Sequence, residues 1–210
     1  MYWLRNPKFI KKLYSAAIWE NPNVEEQPTV YLSFDDGPHP IITTFVLDLL
    51  DEYNAKATFF FIGKNVVAHP HILSRAIAEG HRVGNHSHQH LNGWKTENDL
   101  YIKDVLRAEQ FIPSKLFRPP YGKINKMQAY CLNELGFQLV MWSLLSGDFD
   151  QSISPQRCLE NVILHMKPND IIVFHDSEKA RKNLEYVLPL VLKHCQLKGW
   201  QMKALPKNFK

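Results

Sequence analysis

The chain has 210 residues, 25 basic and 21 acidic, and 45% of its side chains are hydrophobic. That length and composition fit one domain with a real core, and they exclude disorder, collagen-like repeats and a small disulfide scaffold. The formal charge of +4 sits at the ends: residues 1–20 carry a surplus of three and residues 191–210 a surplus of five, which leaves the body four negative. A nucleic-acid-binding domain concentrates basic charge on its working surface, so no nucleic-acid partner is expected. No apolar run reaches the ~18 to 20 residues of a membrane-spanning helix. Cys131, Cys158 and Cys195 are widely spaced, odd in number and without a CxxC pair, which argues against a zinc ribbon or a disulfide framework.

In chain order, residues 1–27 read as an amphipathic extension ahead of a domain over 28–210. The N-terminus has neither an uninterrupted apolar h-region nor a small-residue cleavage site, so a secretory signal is not read there and a cytoplasmic location is expected. Phe9, Leu13, Tyr14 and Ile18 share one face of a short predicted helix, with lysines elsewhere. Peripheral contact with a membrane surface is one use of such a face; packing on the domain is the commoner one and is the reading preferred here.

Beyond Pro22 and Pro28, apolar β-rich runs alternate with helical patterns. Strands are predicted near 29–34, 57–62, 82–84, 115–117, 137–142, 171–174 and 200–203, and helices near 43–53, 71–79, 97–111, 125–135, 155–166 and 183–197. Ser154 followed by Pro155 is a cap-then-N1 start, and Gly80, Gly136 and Gly199 each close a helical run. Such alternation predicts an α/β fold with a parallel sheet and helices outside. A full eightfold barrel typically takes ~250 residues, so a single-domain (β/α) barrel that is distorted or incomplete is expected.

The polar residues gather at strand ends. Asp35 and Asp36 follow the first strand, His86, Ser87, His88, Gln89 and His90 the third, and Arg118 the fourth; Asp148 lies a few residues past the fifth, and His175 and Asp176 end the sixth. In β/α barrels the C-terminal rim of the strands holds the active site, so these residues can converge although they are far apart in sequence. DDGP alone could be a turn, but two adjacent carboxylates repel and a plain turn has no need of both. If HSHQH coils into a helical turn, His86 and His90 fall on one face within reach of one ion, with His88 pointing away. Two histidines and a carboxylate leave open positions on a metal, which suits Zn²⁺ with bound water or Fe²⁺ in an oxygenase. A second carboxylate, an arginine and a further histidine beside the site favour hydrolysis, because they supply a base, an orienter and an acid.

Taken together the motifs resemble those of the polysaccharide deacetylases, the NodB-homology family of chitooligosaccharide, chitin and peptidoglycan N-acetylglucosamine deacetylases. The likeness spans about residues 28–203 and rests on SFDDGP (33–38), HSHQH (86–90), RPPYG (118–122) and IVFH (172–175). The fourth motif departs from the family's D-x-x-D-W: here it is LSGDF, with Leu145 for the first Asp and Phe149 for the Trp, while Asp148 is kept. What the resemblance implies is a distorted (β/α) barrel and a metal-dependent N-deacetylase that releases acetate from an N-acetylated oligo- or polysaccharide. Asp36, His86 and His90 would hold a divalent ion, most simply Zn²⁺ with Co²⁺ or Ni²⁺ as substitutes. Asp35 would be the general base, held in place by Arg118. The backbone N–H of Tyr121 would meet the oxyanion, and His175, oriented by Asp148, would protonate the leaving amine. A same-fold O-acetyl esterase acting on a substrate such as xylan, and a non-catalytic carbohydrate-binding relative, are the competing classes; the occupied catalytic positions count against the second.

Overall fold

A parallel sheet curled into a half-barrel, with helices outside, forms the body of the protein, as a computed structural model describes it for residues 2–21, 26–206 and 209. Pro22, Lys207 and Lys210 lie outside the described residues. The strands are β1 (Thr29–Asp35), β2 (Thr58–Phe61), β3 (Arg82–Asn85), β4 (Leu116–Phe117), β5 (Gln138–Leu139), β6 (Leu144–Leu145), β7 (Ile171–His175) and β8 (Gln201–Met202). The helices are α1 (Lys8–Leu13), α2 (Ile42–Glu52), α3 (Gly63–Ala68), α4 (Pro70–Ala78), α5 (Asn98–Glu109), α6 (Lys126–Glu134), α7 (Pro155–Ile163) and α8 (Arg181–Leu197). Strand order is β5-β4-β3-β2-β1-β7-β6, with β8 added beside the start of β1. The edge strands β5 and β6 are consecutive in the chain and only four residues apart, so the sheet has to curl to bring its edges together.

β1 sits at the centre, and its two faces explain the fold. Val30, Leu32 and Phe34 pack outward into the main core with α2, α7 and α8 side chains such as Leu47, Val162 and Leu188. Phe34 stacks between Phe59 of β2 and Phe174 of β7, at 5.1 and 5.9 Å between ring centroids. The alternate residue Tyr31 belongs to a smaller inner cluster with Phe60, Leu116 and Ile171. Strand alternation puts Ser33 and Asp35 on that inner side too, which is how a fully buried hydrophobic strand delivers a carboxylate to the barrel interior.

Among the described residues no helix is long and apolar enough to cross a membrane. Helix ends behave as expected: the Ser154 hydroxyl accepts from the N–H of Arg157, and Gly80, Gly136 and Gly199 adopt φ values of 81°, 82° and 66°. Two expectations need correction, and one helix was not predicted. The run 137–142 is not one strand: β5 ends at Leu139, Val140 bridges to Ile18, and the chain re-enters the sheet as β6. α3 went unread because six residues are too few to show a helical period. Finally, α1 stops at Leu13 and buries none of its residues; Phe9 and Leu13 are exposed, whereas Tyr14 packs on the cluster around Phe117 and donates its hydroxyl to the Ile124 carbonyl, and Ile18 packs on the inner cluster and pairs with the sheet. The predicted apolar face therefore packs on the domain through Tyr14 and Ile18 only, beyond the end of the helix.

Candidate active site

Polar groups from the ends of several strands meet at one cavity of about 430 Å³. Asp35, Asp36, His86, His90, Tyr121 and His175 all line it, together with Tyr2, Gly122, Trp142, Leu145, Phe149, Val173 and Lys179. Arg118 and Asp148 stand behind this lining, fully buried.

The two adjacent carboxylates diverge completely. Asp35 ends β1 facing inward, and Arg118 Nη1 donates to it at 2.7 Å. The same guanidinium donates to Ser33 Oγ and to the carbonyls of Val140 and Met141, and it lies 4.0 Å from the Phe60 ring centroid. A charge this deeply buried is tolerable only because every face of it is satisfied. Asp36 turns the other way, with φ 82°, and its Oδ1 lies 3.2 Å from His90 Nε2 and 3.7 Å from His86 Nε2. Gly37 and Asp176 lock this corner: the Gly37 N–H donates to Asp176 at 3.0 Å, and a Cβ at Gly37 would meet that carboxylate at 2.1 Å.

One donor atom from each of Asp36, His86 and His90 falls within a cluster no wider than 4.8 Å. His86 Nδ1 lies 2.7 Å from the Arg118 carbonyl, which can only accept, so Nδ1 carries the proton and Nε2 presents its lone pair. Burial pushes His86 down to about 4, which keeps it neutral as a ligand must be. Burial alone would raise the Asp36 carboxyl, but the hydrogen bond from His90 and the positive charge of His175 hold it well below the usual carboxylate range. A neutral His86, the His90 imidazole and an ionised Asp36 form a donor set that fits a divalent ion.

The HSHQH segment reaches this geometry differently from the expected helical turn. Ser87 and His90 take left-handed φ values of 61° and 58°, and the loop is held from outside by Asp104 of α5, whose Oδ2 accepts from the N–H groups of His88 and Gln89 at 2.9 and 3.0 Å. His88 is buried away from the cluster, 6.0 Å from the Phe111 ring. Of the six non-glycine residues with positive φ among the described residues, Asp36, Ser87, His90 and Tyr121 belong to this site, so backbone strain is concentrated there. Tyr121 has φ 60°, its ring lies 4.6 Å from that of His90, and its N–H donates to no protein backbone acceptor among the described residues.

His175, at the end of β7, is gripped by Asp148: Nδ1 lies 2.8 Å from Oδ1, and the His175 N–H donates to Oδ2 at 2.6 Å. Burial opposes a charge on His175, but the charge and hydrogen bond of Asp148, with Asp36 and Asp35 behind them, push it up to about 9. Asp148 follows β6, a strand not anticipated from the sequence, and Asn183 of α8 donates to its carbonyl at 3.0 Å. Leu145 and Phe149, the two departures in the fourth motif, both line the cavity, and Phe149 presents its ring edge-on to His175 at 5.0 Å. Asp104 and Tyr2 were not singled out from sequence: Asp104 shares the buried face of α5 with Tyr101, Val105 and Ala108, and an acid on that apolar stripe was the signal available, whereas a tyrosine ahead of the first strand carries none.

Comparison with known proteins identifies the family. Residues 23–140 match the family model described as polysaccharide deacetylase. A peptidoglycan-N-acetylglucosamine deacetylase of Bacillus cereus is 33% identical over 189 residues, covering 87% of this chain and 88% of the relative. A chitooligosaccharide deacetylase of Azorhizobium caulinodans is 26% identical over 204 residues, covering 87% of this chain and 95% of the relative. Among solved structures, the Bc1960 peptidoglycan N-acetylglucosamine deacetylase superimposes with a TM-score of 0.87 at 30% identity over 97% of each chain. With the family model covering more than half of its length, the chain belongs to the polysaccharide deacetylase family.

Proposed function

We propose that this protein is a metal-dependent hydrolase that removes the acetyl group from N-acetylglucosamine units of an oligo- or polysaccharide and releases acetate. The observation that carries the reading is the split between neighbouring aspartates: Asp36 joins His86 and His90, while Asp35 is held by Arg118. The donor set of one carboxylate and two imidazoles favours zinc. An ion held there supplies a Lewis acid for the acetyl carbonyl and lowers the pKa of a nearby water.

The chain's own groups do the rest. Asp35, fixed by Arg118, accepts the proton of the attacking water. The Tyr121 N–H, on its strained turn, donates to the oxygen that gains charge. His175 delivers a proton to the departing nitrogen, and Asp148 holds its ring and its positive charge. This acid favours an amide substrate over an O-acetyl ester, because an amine leaves badly without a proton and an alkoxide needs less help.

The test is acetate release by zinc-loaded protein from N-acetylglucosamine oligomers and peptidoglycan, set beside acetylated xylan. Release from the N-acetylated substrates is expected. Release from xylan alone, or sugar binding without acetate, overturns the reading.

A further inference from the structure

The segment ahead of the first strand does more than precede the domain. The Leu145 N–H of β6 donates to the Leu4 carbonyl at 2.9 Å, Asn6 donates to the Trp142 carbonyl at 3.0 Å, and Arg5 pairs with Asp170 at 2.5 Å and also donates to the His165 carbonyl. These anchors carry Tyr2 to the mouth of the catalytic cavity. Its hydroxyl donates to Asp150 at 3.0 Å, and its ring lies 5.1 Å from that of Phe149. Gly147 leaves room for it, since a Cβ there would meet the Tyr2 hydroxyl at 2.8 Å.

We infer that Tyr2 is a sugar-binding residue: with Phe149 it forms an aromatic wall of the cleft that receives the apolar face of a pyranose ring next to the unit being deacetylated. The inference rests on the deacetylase reading and names a specificity contact for it. Pyranose rings present C–H groups on one face, and an aromatic face with a polar tip suits them. Phe149 stands where the family pattern has the larger tryptophan, and Tyr2, lining the same cavity from the opposite end of the sequence, restores aromatic surface there. Lys179, 5.6 Å from the Phe149 ring, flanks the wall with a cation.

Two zinc-loaded variants of the full chain test this, because both keep bulk against Phe149. Tyr2→Phe keeps the ring, and Tyr2→Leu removes it. Calorimetric binding of the N-acetylglucosamine tetramer, acetate release from it, and hydrolysis of 4-nitrophenyl acetate are measured for each. Tyr2→Leu is expected to weaken tetramer binding and raise KM roughly tenfold with kcat little changed. Tyr2→Phe should stay within about twofold of wild type, and the small ester, too short to reach the wall, should be hydrolysed equally by all three. Unchanged tetramer binding in Tyr2→Leu overturns the inference. So does an equal loss on the small ester, which would mean that Tyr2 supports the catalytic site as a whole rather than the sugar. If the wild type binds the tetramer but releases no acetate, the deacetylase reading fails while the binding comparison still decides the wall. If the wild type does not bind it, both fall.

Discussion

At the scale of single residues, chemistry is divided by partner rather than by residue type. Asp35 and Asp36 are adjacent, yet one faces a buried guanidinium and the other a pair of imidazoles. The positions themselves were legible, because polar groups placed directly after β-rich runs stand out and strand alternation dictates which way they point. Their separate partners were assigned through the family resemblance rather than from local pattern; the structure traces them to Arg118 reaching through the barrel from the end of β4 and to the positive φ of Asp36. The His175–Asp148 pair yields a sharp expectation. A proton donor matters in proportion to how badly the leaving group departs, and a nitrophenolate hardly needs one. His175→Ala should therefore cripple deacetylation of an N-acetyl sugar while hydrolysis of 4-nitrophenyl acetate falls much less. The ratio of the two rates, at equal metal occupancy, checks it; an unchanged ratio removes His175 as the acid.

At the scale of elements, the loop after β3 shows why local pattern was not enough. Four-residue spacing suggested a helical turn for His86 and His90, and the two rings do meet, 5.0 Å apart. They meet because left-handed residues bend the loop and Asp104, on a helix that starts eight residues later, ties down two of its N–H groups. Spacing predicted the contact; only tertiary structure reveals its cause. Asp104→Ala leaves those two N–H groups without their acceptor and loosens His90. Groups that position metal ligands typically contribute ~10- to 100-fold in affinity. Zinc titration should show a loss of that order, with acetate release recovering at excess zinc, while Asp104→Asn, which keeps an acceptor, stays close to wild type.

On the scale of the whole molecule, the sheet was readable and its seam was not. Long buried strands announce themselves, and even the two-residue β4 and β8 fall inside predicted runs, whereas β5 was drawn too long and β6 went unread, because strands of two residues are defined only by their pairing. The seam between β5 and the β6–β7 edge is bridged by the N-terminal segment, through Ile18 with Val140 and Glu20 with Asp170. Global stability has a titrating contributor far from the catalytic rim. His81, buried against Phe59, accepts the Ala57 N–H at 3.2 Å, and burial, with Lys56 adding to it, pushes its pKa down to about 4. The unfolded chain takes up that proton near the ordinary value of 6.5 while the folded chain resists it, so stability is lost as pH falls from 6.5 towards 4. His81→Asn keeps an acceptor but cannot titrate, and melting curves across that window should fall less steeply for it than for wild type. The most direct test of the catalytic site is acetate release per bound zinc, measured for wild type and Asp35→Asn on N-acetylglucosamine oligomers. One zinc per chain in both, with ~10²- to 10⁴-fold less acetate from the variant, is the expected result. A variant that turns over at nearly the wild-type rate, or that loses its zinc, would contradict the assignment of Asp35 as base and Asp36 as ligand.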